Sequence, residues 1–87
     1  MKNLLEYMLI HLVDNPDAVE VQEEVAENGM HIYTIHVHSD DIGRVIGKGG
    51  SVIHAIRNIG KIRSIKEGVR AIIKLADDET DRKPALD

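Results

Sequence analysis

The middle of the sequence carries a glycine-rich stretch that reads Val45-Ile46-Gly47-Lys48-Gly49-Gly50-Ser51-Val52-Ile53. Three glycines within four residues are incompatible with a stable helix interior, because glycine costs about 1 kcal/mol relative to alanine at such a position. The apolar residues on both sides nevertheless keep a helical spacing. The stretch therefore predicts two helices joined by a sharp turn, where another molecule can approach closely because no Cβ atoms stand in the way.

The residue types at this turn suit a chain of phosphate groups. The helix that follows begins with unpaired backbone N–H groups and a positive dipole end. Lys48 adds a mobile cation, and Ser51 is expected to cap the second helix. A plain corner between two helices, without a ligand, is the alternative explanation. The predicted position of the turn, after a hairpin and before a strand, favours nucleic-acid binding.

Other glycine motifs do not match the spacing. A Walker A loop needs four residues between its first glycine and Gly-Lys, whereas only three separate Gly43 from Gly47, and Gly49 follows the lysine where serine or threonine is required. A dinucleotide fingerprint would need glycine in place of Val52. A nucleotide-dependent enzyme is therefore disfavoured.

The remaining elements follow from hydrophobic periodicity. Apolar residues recur every three or four positions between Asn3 and Asp14 and predict a helix, which Asn15-Pro16 ends. Two alternating segments, at residues 19–25 and 32–38, flank Asn28-Gly29, a dipeptide typical of hairpin turns. After the two central helices, alternation from residue 69 to 75 predicts a third strand.

The predicted order is helix-strand-strand-helix-helix-strand, which indicates an α+β domain. The hairpin makes the first two strands antiparallel, and the two-helix crossover makes the second and third strands parallel. The economical packing is a three-stranded mixed sheet with three helices on one face. We expect this domain to span residues 1–76 and to be followed by an acidic flexible tail at residues 77–87.

The charge of the chain is unevenly distributed. The net charge is −4, which by itself argues against nucleic acid. Residues 1–41 contain one lysine against nine acidic residues, whereas residues 42–76 contain eight basic residues against Glu67 alone. A phosphate chain responds to the local field, so the basic third is a candidate binding surface, although a solvated helix face is the alternative.

The stretch from Val45 to Ile53 matches the KH signature of Val-Ile-Gly, two variable residues, Gly, two further residues and Ile. The element order resembles the type II KH fold of prokaryotes, and residues 4–76 resemble the KhpA family of bacterial proteins with a single KH domain. The resemblance also rests on the segments Asp14-Asn15-Pro16-Asp17, Gly43-Arg44-Val45-Ile46-Gly47 and Ala55-Ile56-Arg57.

This resemblance implies a protein that clamps single-stranded RNA and acts as a post-transcriptional regulator or RNA chaperone. It also implies a homodimer and a heterodimer with a larger KH protein of the Jag (KhpB) type. The expected RNA-binding residues are Arg44, Ile46, Gly47, Lys48, Gly49, Gly50 and Arg57. Arg57 and Lys61 share one side of the second central helix, where they either line the phosphate path or are merely solvated. A protein-interaction adaptor with weak or vestigial RNA binding is the alternative function, which the acidic net charge favours.

The second central helix has more apolar surface than one contact needs. Ile53 and Ile56 suffice to hold it on the sheet. A second stripe consists of Val52, Ala55, Ile59 and Ile62. The combined arc is roughly twice the ~100° of an ordinary amphipathic helix. Either the first helix covers the excess, or the stripe is a homodimer interface in which Ala55 and Gly60 let two helices approach closely.

Neither catalysis nor a cofactor is expected. Serine, histidine and carboxylate side chains do not assemble into one predicted cleft, and the five histidines are scattered over different elements. His36 and His38 share a strand face, but without a further ligand nearby they indicate exposed histidines rather than a metal site. The absence of cysteine fits a reducing compartment. No signal peptide or membrane segment is indicated, so we expect a cytoplasmic protein.

Overall fold

A computed structural model describes residues 1–76, and the predicted acidic tail lies outside the described residues. The elements are α1 (Lys2–Ile10), β1 (Glu20–Val25), β2 (His31–His36), α2 (Ile42–Ile46), α3 (Ser51–Glu67) and β3 (Ala71–Leu75). Short 3₁₀ turns precede β1, α2 and α3. This order confirms the predicted helix-strand-strand-helix-helix-strand arrangement.

The sheet has the strand order β1-β2-β3. β1 pairs with β2 in antiparallel fashion, with Val21 opposite Ile35. β3 pairs with β2 in parallel, with Ile73 beside Tyr33. The parallel pair is possible because α2 and α3 return the chain to the end of the sheet where β2 begins. The mixed sheet confirms the predicted α+β class and the type II KH arrangement.

The helices cover one face of the sheet and form the core with it. Tyr33, Ile35 and Val37 point into this core, as the alternation predicted. The buried apolar residues are Leu5, Leu9, Val21, Tyr33, Ile35, Val37, Val45, Ile53, Ile56, Ile73 and Leu75. β1 contributes less than predicted, since Val25 is 56% exposed and only Val21 is buried. The position between them on the same face is occupied by Glu23, which interrupts the apolar alternation.

α1 is shorter than predicted and ends at Ile10 instead of Asp14. Val13 still donates its N–H to Leu9 at 3.2 Å. The N–H groups of Asp14 and Asn15, which a longer helix would direct to its own carbonyls, instead donate to the Asp41 carboxylate at 3.1 and 3.0 Å. A tertiary contact therefore replaces the last helical turn.

α3 packs closely on β3. A Cβ atom on Gly60 would lie only 2.4 Å from Cδ1 of Ile73, so glycine lets α3 approach β3 without displacing the end of that side chain. The next turn contributes the buried Ser64, whose hydroxyl donates to the carbonyl of Lys61 at 2.8 Å. Gly60 thus faces the core, and its expected role in a helix–helix contact between two copies is wrong.

Between residues 1 and 76, no helix has the length and apolar character required to cross a bilayer.

Candidate nucleic-acid interface

The four-residue glycine loop, Gly47 to Gly50, joins α2 to α3. α2 ends where Gly47 adopts a φ of 75° and donates its N–H to the carbonyl of Gly43 at 2.8 Å. A 3₁₀ turn follows, in which Gly50 donates to the carbonyl of Gly47 at 3.1 Å. Lys48 and Gly49 are exposed at the tip of this turn. The loop is thus held at both ends and open in the middle.

The two glycines at positions 47 and 49 differ in the space around them. A Cβ on Gly47 would lie 2.4 Å from Cγ2 and 2.8 Å from the backbone nitrogen of Val52, so a side chain does not fit. Gly49 has a φ of 64°, but a Cβ there would meet nothing within 4 Å. The first glycine permits the close approach of the two helices, whereas the second leaves free space around the loop tip.

α3 begins without a side-chain cap. Its N-cap is Gly50 in the left-handed conformation, and Ser51 is the first helical residue. The expected capping role of Ser51 is therefore wrong, because the turn needs a positive φ at the position where a cap would stand. The first N–H groups of this long helix, together with its positive dipole end, face the loop where an anion can bind.

A cleft of about 560 Å³ runs between α3 and β3. Its basic residues are Arg57, Lys61, Arg70 and Lys74, and its apolar residues include Ile65, Val69 and Ile72. Arg57 lies against the strand and donates its Nε–H to the carbonyl of Ile73 at 3.2 Å. β3 is an edge strand, so this side of it carries no neighbouring strand. The α3–β3 cleft therefore combines cations, apolar surface and an open strand edge.

A group of acidic residues lies at the opposite edge of the sheet. Glu20, Glu23 and Glu24 belong to β1 and line a shallow depression together with Glu6 of α1. Because the strand order is β1-β2-β3, the acidic edge and the basic cleft are separated by the width of the sheet. The acidic net charge thus coexists with a cationic surface on one side of the molecule.

Arg44 and Ile46, both predicted to bind RNA, lie outside the open part of the loop and outside the α3–β3 cleft. Arg44 pairs with Asp14 at 3.1 Å, and both side chains are more than half exposed. Such a surface pair is worth little, so the guanidinium remains available to a stronger anion. Ile46 is half-buried and packs against the core, which makes it a support of the loop rather than part of its exposed tip.

The expected dimer stripe is only partly covered by α1. Val52 is half-buried against the core, whereas Ala55 is exposed, and Ile59 and Ile62 are 42% and 68% exposed. The stripe borders a groove of about 340 Å³ between α1 and α3, which is also lined by Tyr7, Met8, His11 and Leu12. α1 therefore does not cover the whole of the excess apolar arc.

Comparison with known proteins identifies the family. The family described as KhpA/KhpB, KH domain matches residues 2–75. The chain belongs to this family. It is 40% identical over 75 residues to the RNA-binding protein KhpA of Clostridium acetobutylicum, covering 86% of this chain and 99% of the relative. It is 38% identical over 77 residues to the RNA-binding protein KhpA of Halalkalibacterium halodurans, covering 88% and 100%. The RNA-binding protein KhpA of Chlamydia caviae is 35% identical over 81 residues, with 91% and 100% covered.

The family assignment agrees with the KH signature, but two parts of the interface were not found from the sequence. The α3–β3 cleft joins Arg57 and Lys61 of the helix to Arg70 and Lys74 of the strand, and periodicity alone could not bring these elements together. Asp41, which directly precedes α2, is buried and holds the segment before Pro16. The Asp14-Asn15-Pro16-Asp17 segment was the available signal for this contact.

The two histidines considered as possible metal ligands, His36 and His38, do not lie on a common strand face. His36 contacts Gln22 at 3.2 Å, and His38 lies beyond the end of β2, where its Nδ1 accepts from the N–H of Asp40 at 3.0 Å. The expectation that both share a strand face is wrong because β2 ends at His36. Among residues 1–76, no three histidine or carboxylate side chains are arranged as a metal site.

Proposed function

We propose that this protein binds single-stranded RNA without catalysing a reaction, with the glycine loop on the phosphate backbone and the α3–β3 cleft on the bases. The observation that carries the proposal is the position of the loop and the cleft along one helix, α3. The open loop lies at the first residue of α3, and the cleft, whose charged side chains are all cationic, begins about two turns further along the helix at Arg57. The names of the relatives, which describe RNA-binding proteins, support the same function.

The loop supplies the contacts to phosphate. Lys48 offers a mobile ammonium group, and α3 begins with no side-chain cap, so N–H groups of its first turn beyond Ser51, whose own N–H donates to the carbonyl of Lys48, can serve as directed donors. Gly49 leaves room for a backbone to lie against the turn. Because the loop is fixed at Gly47 and Gly50, little conformational freedom is lost when RNA binds there.

The cleft supplies the contacts to bases. The chain contains only two aromatic residues of the Phe, Trp and Tyr class, and neither lines the cleft. Bases would instead lie on aliphatic side chains such as Ile65 and Ile72 and meet polar groups of Arg57 and the edge strand. A KH module takes about four nucleotides, and recognition of this kind gives loose sequence preference.

We also propose that the protein forms a homodimer through the stripe of Val52, Ala55, Ile59 and Ile62. Burial of exposed apolar side chains against a partner contributes a free energy of about 25 cal/mol for each Å² of apolar surface covered. A two-fold axis near Ile59 places that residue against its own copy. Two loops on one particle raise the avidity for a longer RNA through effective concentration. The same stripe suits a heterodimer with a larger KH protein of the Jag (KhpB) type.

In the cell, this proposal corresponds to a cytoplasmic post-transcriptional regulator or RNA chaperone. The second candidate function is a protein-interaction adaptor with weak or vestigial RNA binding. The observation that favours it is the exposure of Ile59 and Ile62 on a protein whose net charge is −4.

A salt titration separates the two functions. The affinity for a short unstructured RNA is measured over a series of potassium chloride concentrations. Displacement of counterions from single strands gives a slope of about −0.7 per phosphate contacted, so about four contacts predict a slope near −3 in log K against log [salt]. An adaptor predicts no saturable binding, or binding whose affinity does not depend on salt.

A further inference from the structure

His54 stands beside the glycine loop. It lies in the first turn of α3, and its side chain is exposed. A Cβ atom built on Gly50 would be 3.4 Å from Cδ2 and 3.7 Å from Nε2 of its imidazole. The ring therefore flanks the last residue of the loop and forms a wall at the point where the loop becomes helix.

His54 lies on the same side of α3 as two basic residues of the cleft. At ~100° per residue, His54, Arg57 and Lys61 lie within about 60° of one another around the helix. His54 and Lys61 are separated by two turns, or about 10 Å along the axis. The core-facing residues Ile53 and Ile56 and the stripe residue Ile59 lie on other sides of the helix. His54 is thus the residue on α3 that connects the loop to the basic cleft.

Among residues 1–76, the imidazole of His54 has no hydrogen-bond or ion-pair partner. The other four histidines each contact a neighbour among the described residues: His11 lies against Tyr7, and His31, His36 and His38 contact Glu23, Gln22 and Asp40. Over the same span of residues 1–76, neither a hydrogen bond nor an ion pair involves His54. Both ring nitrogens are therefore available to a ligand.

We propose that His54 is a further contact of the bound RNA and that it holds the phosphate next to the one held by the loop. This inference rests on the proposed RNA binding and adds a proton-dependent contact to it. A neutral imidazole donates one hydrogen bond, whereas an imidazolium donates two and carries a charge, and histidine changes between these forms from pH 8 to pH 5. RNA binding at this site therefore takes up a proton.

The charged residues of the loop tip and of the cleft are all cationic. They are Lys48 in the loop and, on the same helix as His54, Arg57 and Lys61. The cleft wall on β3 adds Arg70 and Lys74. A phosphate bound beside the ring pairs with the imidazolium, so protonation of His54 and RNA binding support each other.

The test is the affinity for a short cyanine-labelled oligouridylate at constant salt, measured at about pH 6 and about pH 8. The wild-type protein should bind roughly fivefold more tightly at the lower pH, because one charge-assisted contact to phosphate is gained. His54→Ala should remove most of this ratio. His54→Lys should bind tightly at both pH values. His36→Ala, on the sheet face away from the helices, is the matched control and should keep the wild-type ratio.

The outcomes are distinct. If wild type binds RNA and His54→Ala keeps both its affinity and its pH ratio, the contact at His54 is wrong while the proposed function stands. If wild type binds no RNA at either pH, the proposed function itself fails, and this inference with it. Circular dichroism of each variant confirms that the exposed substitutions leave the fold unchanged.

Discussion

Asn15 donates two hydrogen bonds to one carboxylate oxygen of Asp41, from its backbone N–H at 3.0 Å and from its side-chain amide at 3.1 Å. The other oxygen accepts from the backbone N–H of Asp14 at 3.1 Å. Asp41 is only 1% exposed. Burial by itself raises the pKa of Asp41, but the hydrogen bonds from Asn15 and Asp14 outweigh it and hold the pKa below its ordinary value of 3.8. This carboxylate ties the end of α1 to the start of α2.

The first prediction is that Asp41→Asn destabilises the fold although the two side chains have the same shape. The new amide group turns a donor toward the N–H groups of residues 14 and 15, so at least one buried donor loses its acceptor. We expect the melting temperature at pH 7 to fall by roughly 5–15 °C. Asp40→Asn, next to it but exposed, is the control and should change the melting temperature little.

The same contact sets the behaviour of the protein in acid. A carboxylate whose pKa is lowered by folding stabilises the protein above the pKa of the unfolded chain, and this contribution is lost as the pH falls through the folded pKa. Wild-type stability should therefore decline below about pH 4. Asp41→Asn should show a smaller decline over that range. An equal decline in both proteins would show that Asp41 is not a source of the acid sensitivity.

The second prediction concerns Tyr33, whose hydroxyl donates to Glu23 at 3.0 Å. Burial, and then the hydrogen bond to the Glu23 carboxylate, raise the pKa of Tyr33 to about 12. In a Tyr7→Phe background, the tyrosinate absorbance should have its midpoint near that value, and Glu23→Gln should lower the midpoint. Because folding raises this pKa, the contribution of Tyr33 to stability is fully present below the ordinary tyrosine pKa near 10. It is lost as the pH rises through the pKa of the folded protein, so stability should fall from about pH 10 to about pH 12.

The third prediction compares two glycines of the loop. Gly47→Ala meets Val52 and needs a backbone conformation that is essentially restricted to glycine, so we expect a loss of roughly 2–4 kcal/mol in unfolding free energy. Gly49→Ala meets no atom within 4 Å and suffers only from its left-handed conformation, about 1–2 kcal/mol. Urea denaturation measures both. Equal losses would mean that the contact between Gly47 and Val52 does not determine the loop.

The fourth prediction is that Ile59→Asp gives a folded monomer. Ile59 is 42% exposed in the single chain, so the substitution spares the core but brings two carboxylates together at the proposed two-fold axis. Sedimentation of the wild type in the tens of micromolar should show a dimer. A monomeric wild type, or a variant that stays dimeric, would exclude this interface.

The control for this interface is Ile72→Asp. Ile72 is also 42% exposed but lies on β3, outside the stripe, so this variant should remain a dimer. If both variants become monomers, a general effect of added charge explains the result better than the stripe does. If Ile59→Asp unfolds instead, Ile59 serves the core of the single chain.

Patterns within single elements could be predicted from the sequence, whereas contacts between elements could not. The glycine loop at residues 47–50 and the alternation of Tyr33, Ile35 and Val37 depend on local spacing, and they gave the correct element order. The early end of α1 depends on Asp41, which is 26 residues from Asn15, so helical periodicity overestimated its length. The contact of Gly60 with β3 could not be predicted without knowing the angle at which α3 packs against β3. The cleft beside Arg57 arises from the same packing.

The fifth prediction concerns the loop tip itself. Replacing Lys48 and Gly49 together by Asp puts two carboxylates where phosphate should lie closest, and the open space around Gly49 accommodates a side chain. Aspartate tolerates the left-handed conformation better than most residues, so the fold should persist. The matched control is Lys2→Asp with Asn3→Asp, which makes the same change in charge at exposed positions at the start of α1.

The most direct measurement is the affinity of wild type and these two double variants for one labelled single-stranded RNA at fixed salt and pH. The account predicts saturable binding by the wild type and no detectable binding by the folded loop variant. It predicts at most a few-fold weakening for the α1 variant, because these charges lie outside the loop and the cleft. A folded loop variant that binds the RNA with wild-type affinity would contradict the claim that the glycine loop holds the strand.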